Sequence, residues 1–123
     1  MAHEHRAQEL KDRTKRFAIR IIGLYRGLLD SEEGRIVGRQ LLKSGTSVGA
    51  NYRAVCRARS HAEFVAKVGI VVEEADETVF WLEVLQEAKM AVGQEVASLT
   101  REAGELPAIF AASQLTAKRG NRQ

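Results

Sequence analysis

Apolar and small residues return along this chain in alternating steps of three and four, in four separate stretches. The first stripe is Leu10, Thr14, Phe17, Ile21, Leu24 and Leu28; the third is Phe64, Val68, Val71, Ala75, Thr78, Leu82 and Leu85. Such steps hold side chains on one face of an α-helix, whereas a strand alternates every second residue. The fourth stretch repeats the pattern with Val92, Val96, Leu99, Ala103, Leu106, Phe110 and Ser113, but Gly104 and Pro107 fall inside it. Proline lacks a backbone donor and clashes one turn back, so a kink or a restart is expected there.

The second stripe, Val37, Leu41, Ser44, Val48, Tyr52 and Val55, runs through "SGTSVGAN" without losing register. A loop has no reason to keep that period. Gly45 and Gly49 lie four residues apart and share a helix face, where a missing side chain admits a second helix at close range. Each glycine costs about 1 kcal/mol relative to alanine, which tight packing can offset. A phosphate cradle would need G-x-x-x-x-G-K-[ST] after a strand; here Lys43 precedes the glycine and no strand precedes either. The stretch reads as a small-residue seam.

Three short breaks, "DSEEG", "ARSHAEF" and "KMAVG", join the four stripes, and Ser60 with Glu63 forms a capping box at the start of the third. The expected helices are 8–29, 34–57, 61–89 and 93–117, with a basic tail at 118–123. Short links imply an all-α, antiparallel up-down-up-down four-helix bundle, a single domain over 1–123. A chain of 123 residues buries about two-thirds of its unfolded surface and needs no metal or disulfide staple.

Charge is distributed in blocks. Residues 1–59 carry 13 Lys/Arg against 6 Asp/Glu, residues 60–117 carry 3 against 10, and Lys118, Arg119 and Arg122 end the chain. The blocks either cancel within the fold or across subunits, or they present a basic face to a polyanion. Two basic stripes stand out, Arg13, Arg16 and Arg20 on the first helix and Arg35, Arg39 and Lys43 on the second. Clustered cations suffice for phosphate contacts, and no aromatic platform for base stacking accompanies them. One cysteine and the charged start "MAHEHRAQELKDR" lead us to expect a cytoplasmic protein, and no apolar run is long enough for a membrane span.

Glu73, Glu74, Asp76 and Glu77 are the densest acidic cluster, but the chain's histidines, His3, His5 and His61, are not placed three residues after a glutamate within a helix. A di-metal bundle needs that pairing, so no metal or other cofactor is expected. Cys56 and His61 lack an oxyanion hole and an orienting group, so Cys56 reads as a small buried hydrophobe and the protein as a non-enzyme. Antiparallel register brings Arg20, Lys43, Ser44 and Thr46 towards residues 73–77, giving an expected central layer of charged hydrogen bonds with Gly45 making room. Ile70, Phe80, Trp81 and Val84 widen the third stripe beyond one face's needs and suggest a subunit interface.

The segment from Gln40 to Leu85, "QLLKSGTSVGANYRAVCRARSHAEFVAKVGIVVEEADETVFWLEVL", resembles the four helix bundle protein family encoded in 23S rRNA intervening sequences. The resemblance reaches more diffusely over the first helix and the fourth, where Pro107 departs from a smooth family helix. It implies a ring-like homopentamer related to the accessory variability determinant of diversity-generating retroelements, a basic pentamer that binds its reverse transcriptase and nucleic acid. It also implies that Asn51, Tyr52, Arg53, Glu73, Glu74, Glu77 and Trp81 occupy signature positions of a structural and assembly kind. The expected function is therefore an oligomeric RNA-associated accessory or scaffold, with RNA or DNA on Arg13, Arg16, Arg20, Arg35, Arg39 and Lys43. The alternative is a protein-binding scaffold without nucleic-acid contact, such as a partner of a reverse transcriptase.

Overall fold

The computed structural model describes the backbone of residues 2–121 and the side chains of residues 4–112. His3, the stripe position Ser113 and the basic residues Lys118, Arg119 and Arg122 lie outside the described side chains. Four helices account for almost all of the backbone: α1 Ala2–Arg26, α2 Glu32–Cys56, α3 His61–Glu87 and α4 Gln94–Asn121. They make a helical bundle without strands among the described residues.

Local chemistry sets the helix ends. α1 stops at Arg26, before the expected residue 29, because Gly27 and Leu28 turn back onto the carbonyls of Leu24 and Tyr25 in three-residue bonds. α2 starts ahead of the expected residue 34 because Ser31 caps it, its hydroxyl accepting from Gly34 N at 3.0 Å. Ser60 caps α3 in the same way, accepting from Glu63 N at 3.0 Å. Beyond Glu87 the chain reverses at Lys89, which holds a left-handed φ of 60° while Met90 N bonds back to Leu85 O.

Of the kink or restart expected at Pro107, the restart does not occur: α4 runs through the proline as one element. Proline removes one backbone bond, and Ala103, Leu106 and Phe110, all at or below 1% exposure, anchor the helix on both sides of it.

All four stripes converge on one core, except for Val92, which lies ahead of α4 and is 80% exposed, a correction to the fourth stripe. Phe17, Ile21, Leu41, Val48, Val71, Leu82, Leu85, Leu99, Leu106 and Phe110 are all but inaccessible to solvent. The polar stripe members Thr14, Ser44 and Thr78 are also buried, and each hydroxyl donates to a carbonyl of its own helix: Leu10, Leu41 and Glu74 respectively. They enter the core without an orphaned polar group. Consecutive helices pack extensively, and α1 and α4 meet more sparsely than the consecutive pairs do.

Glycines set the α1–α2 distance. A Cβ on Gly45 would lie 2.9 Å from Ile21 Cγ1, one on Gly49 would lie 3.2 Å from the Thr14 carbonyl, and one on Gly38 would lie 3.1 Å from the Tyr25 ring. The small-residue seam is therefore a close contact between α1 and α2. Gly45 accommodates Ile21, an apolar side chain; the expected layer of charge around it is absent.

Candidate nucleic-acid interface

The basic stripe of α1 faces α4. Arg13 donates from Nε to Glu102 at 2.6 Å and from an Nη to the other oxygen at 2.8 Å, and the same Nη reaches Glu105 at 2.5 Å. Arg20 forms a second fork on Glu95, at 3.2 and 3.0 Å, and donates to Ser98 at 2.8 Å. Paired donors meeting paired carboxylate oxygens are the strong form of ion pair. Hydrogen bonding to Glu102 holds the Arg13 guanidinium even more firmly protonated than usual, and Glu95 does the same for Arg20. Their arginines in turn hold Glu102 and Glu95 below the ordinary carboxylate range.

Arg16 lies between the two forks, exposed, and takes part in no ion pair among the described residues. Together Arg13, Arg16, Arg20, Glu102 and the apolar Phe17 line a shallow groove of about 390 Å³ at this seam. Arg13 and Arg20 are therefore paired with α4's carboxylates, and Arg20 meets Glu95 rather than the acidic cluster of α3. Sequence register misplaced Arg20 because it considered only its level along the bundle, whereas the nearer acids lie on α4.

On α2 the cations are exposed. Arg35 donates to the Leu29 carbonyl at 2.9 Å across the α1–α2 turn. Arg39 and Lys43 face solvent and form no ion pair among the described residues. Thr46 turns its hydroxyl to the Leu42 carbonyl at 2.6 Å, so it too makes no contact with α3's acids.

The residues singled out by family resemblance divide by role. Asn51 Nδ2 donates to Glu74 Oε1 at 2.6 Å, linking α2 to α3. Burial pushes the Glu74 carboxyl up, more than hydrogen bonds from Ser47 and Asn51 pull it down, and the neighbouring charges of Glu77 and Glu73 add to the rise. Tyr52 is buried with its ring centroid 5.5 Å from that of Phe110, tying α2 to α4. Its phenol is pushed up by burial first and by Cys56 second. Cys56 itself is exposed at the last residue of α2, which corrects its expected burial: the core stripe ends at Val55. Arg53, Glu73 and Glu77 are exposed and unpaired among the described residues.

Trp81 is half-buried and its Nε1 is sealed from solvent with no acceptor among the described residues, while its ring meets Phe80 edge-on at 4.9 Å. Phe80 is 53% exposed and Ile70 47%. With Glu73 and Glu77 they form an apolar and acidic stripe on the outside of α3. Among the described residues no group of three or more metal-ligating side chains converges, and no helix is long and apolar enough to cross a membrane.

These features define an all-α bundle with an ionically bridged α1–α4 seam, a basic α2 face and an acidic, apolar α3 face. The chain belongs to the 23S rRNA-intervening sequence protein family, whose model matches residues 6–112. It is also similar to a crystal structure from Bacteroides thetaiotaomicron, described as a protein of unknown function from the S23 ribosomal protein family. The two share 34% identity over 85% of this chain and 96% of that one, with a TM-score of 0.79. No functionally curated protein matches the chain.

Proposed function

We propose that this protein is a non-enzymatic, cytoplasmic, homo-oligomeric bundle that serves as a nucleic-acid-associated accessory, with RNA as its first candidate ligand. The observation that carries this reading is the basic outer face of α2, where Arg39 and Lys43 stand exposed and unpaired while Arg13 and Arg20 are consumed by α4. Its ligand class is supported by membership of a family described by its 23S rRNA intervening sequences. Arg16 and the outer donors of Arg35 add to the cationic surface.

The helices are taken as antiparallel, up-down-up-down. The reading is supported by the pairings Thr14–Gly49, Ile21–Gly45 and Tyr25–Gly38 between α1 and α2, and by Arg13–Glu102 and Arg20–Glu95 between α1 and α4. A ring-like homopentamer is the proposed assembly, and the exposed Ile70 and Phe80 on α3 supply apolar area for a subunit contact.

The test is binding of a structured RNA and a duplex DNA across a salt series, with oligomer mass measured on the same sample. The expected result is a steep fall of log K with log salt, about 0.9 per phosphate contact on B-form duplex. A stable oligomer that ignores both ligands at low salt would overturn it. That outcome would favour the second reading, a protein-binding scaffold for a reverse transcriptase or other nucleoprotein partner, for which the spent arginines of α1 already speak.

A further inference from the structure

Between Glu33 and Glu63 the chain contains no aspartate or glutamate. This acid-free run contains nearly all of α2 and the turn that follows it, and its cations are not scattered. Arg39, Lys43, Thr46, Ala50, Arg53 and Arg57 succeed one another in steps of four, three, four, three and four. That spacing draws one line along a helix.

Arg39, Lys43, Ala50, Arg53 and Arg57 are all exposed, and Thr46 is half-buried with its hydroxyl turned inward to the Leu42 carbonyl. None of the four cations forms an ion pair among the described residues. Arg57 is the C-cap of α2 and donates its backbone N–H to Ala54 O, which leaves its guanidinium uncommitted. The line therefore has a cationic pair at each end and a low, neutral saddle in the middle.

The midpoints of the two pairs are separated by fourteen helical residues, about 21 Å at 1.5 Å per residue. A mononucleotide cannot touch both. A nucleic-acid duplex presents one charge per roughly 1.7 Å of its axis, so about a dozen phosphates pass over that length. Ala50 and Thr46 add no bulk that would lift a passing backbone off the cations.

We propose that the outer face of α2 is a track for a nucleic-acid backbone, gripped by Arg39 and Lys43 at one end and by Arg53 and Arg57 at the other. The inference rests on the nucleic-acid reading above and adds the path of the backbone along α2 and two residues, Arg53 and Arg57, that the basic stripes alone did not include. Readout is confined to phosphates, because no base-stacking aromatic lies on the line.

The test compares wild-type protein, R53Q/R57Q, R39Q/K43Q and the control R13Q on a mixed-sequence duplex DNA and a structured RNA, each variant first shown to keep wild-type helicity at the assay temperature. Each double variant is expected to shallow the duplex salt slope by about 1.8, two contacts at about 0.9 each, and R13Q to leave it unchanged. If R53Q/R57Q keeps the wild-type slope while R39Q/K43Q loses it, the track is overturned and the broader reading stands. If wild type binds neither ligand, both fall. Equal retention of poly-glutamate would overturn a phosphate track in favour of an acidic protein partner. A loss of oligomer mass in R53Q/R57Q, without nucleic-acid binding by wild type, would assign the face to a second copy of the chain.

Discussion

α1 is held to its two neighbours by opposite means. Towards α2 it meets glycine: Ile21 and Thr14 sit so near Gly45 and Gly49 that a methyl group there would force its neighbours to shift. Towards α4 it reaches across with long side chains, and Arg13 and Arg20 bridge a groove over Phe17. The first seam gains from dispersion and excluded water, which fall off steeply with distance, so it must be close. The second works at arm's length, is partly solvated, and answers to salt and pH. One helix can thus have a rigid side and a tunable side without any change in its own regularity.

The rigid side is the more costly to break. Ile21→Ala removes the γ carbons that rest on Gly45 from a site with no solvent exposure, and should cost about 2–5 kcal/mol in urea unfolding. Gly45→Ala in the native background should cost about 1–3 kcal/mol from overpacking, reduced by the roughly 1 kcal/mol that alanine gains in helix propensity. In the Ile21→Ala background the new methyl has somewhere to go. The double variant should therefore be at least about 0.5 kcal/mol more stable than the sum of the two single effects predicts. Strict additivity would mean that the seam's closeness has another cause.

Arg13→Gln attacks the tunable side and should cost about 1 kcal/mol at low salt, since the Arg13 and Glu102 side chains remain 30% and 20% exposed and part of the ion pair's strength is screened. Raising the salt should shrink this cost while leaving that of Gly45→Ala unchanged. The pair also fixes a pH dependence. Glu102 is held below the ordinary carboxylate value by its hydrogen bond to Arg13, so its contribution is complete above about pH 4.3 and is lost as pH falls through its folded value. Unfolding midpoints followed from neutral to acid pH should decline less in Arg13→Gln than in wild type. Parallel curves would remove Glu102 from the account.

How much of this was legible in the sequence follows from the same contrast. Periodicity marks what happens within a helix, and the stripes matched the buried faces through Thr14, Ser44 and Thr78, whose hydroxyls bond locally and so do not disturb the pattern, but failed at Val92, which precedes the first turn of α4 and faces water. Gly45 and Gly49 declared a close approach because only proximity gives two glycines on one helix face a purpose. The partner of Arg20 was not legible, since level along the bundle places it beside two acidic regions and only the arrangement of helices around the axis chooses Glu95. Cys56 was misjudged for a related reason: one step past Val55 the same turn already faces water. Pro107 announced a kink or a restart, and the helix continues through it with Ala103, Leu106 and Phe110 buried on both sides.

The smallest expected effect concerns Glu74, which is the reverse of Glu102. Both are carboxylates accepting a hydrogen bond from another helix, but Glu74's partner is the neutral Asn51, and burial prevails to push its carboxyl up. A raised folded value means that its favourable contribution is complete below about pH 4.3 and is lost as pH rises through that folded value. Glu74→Gln keeps an oxygen for Asn51 and removes the charge, along with its repulsion from Glu73 and Glu77. The variant should match wild type in acid and become more stable by a few tenths of a kcal/mol at neutral pH, as a buried polar contact relieved of charge would. Loss of stability at neutral pH would instead mean that the ionised carboxylate is answered by a cation.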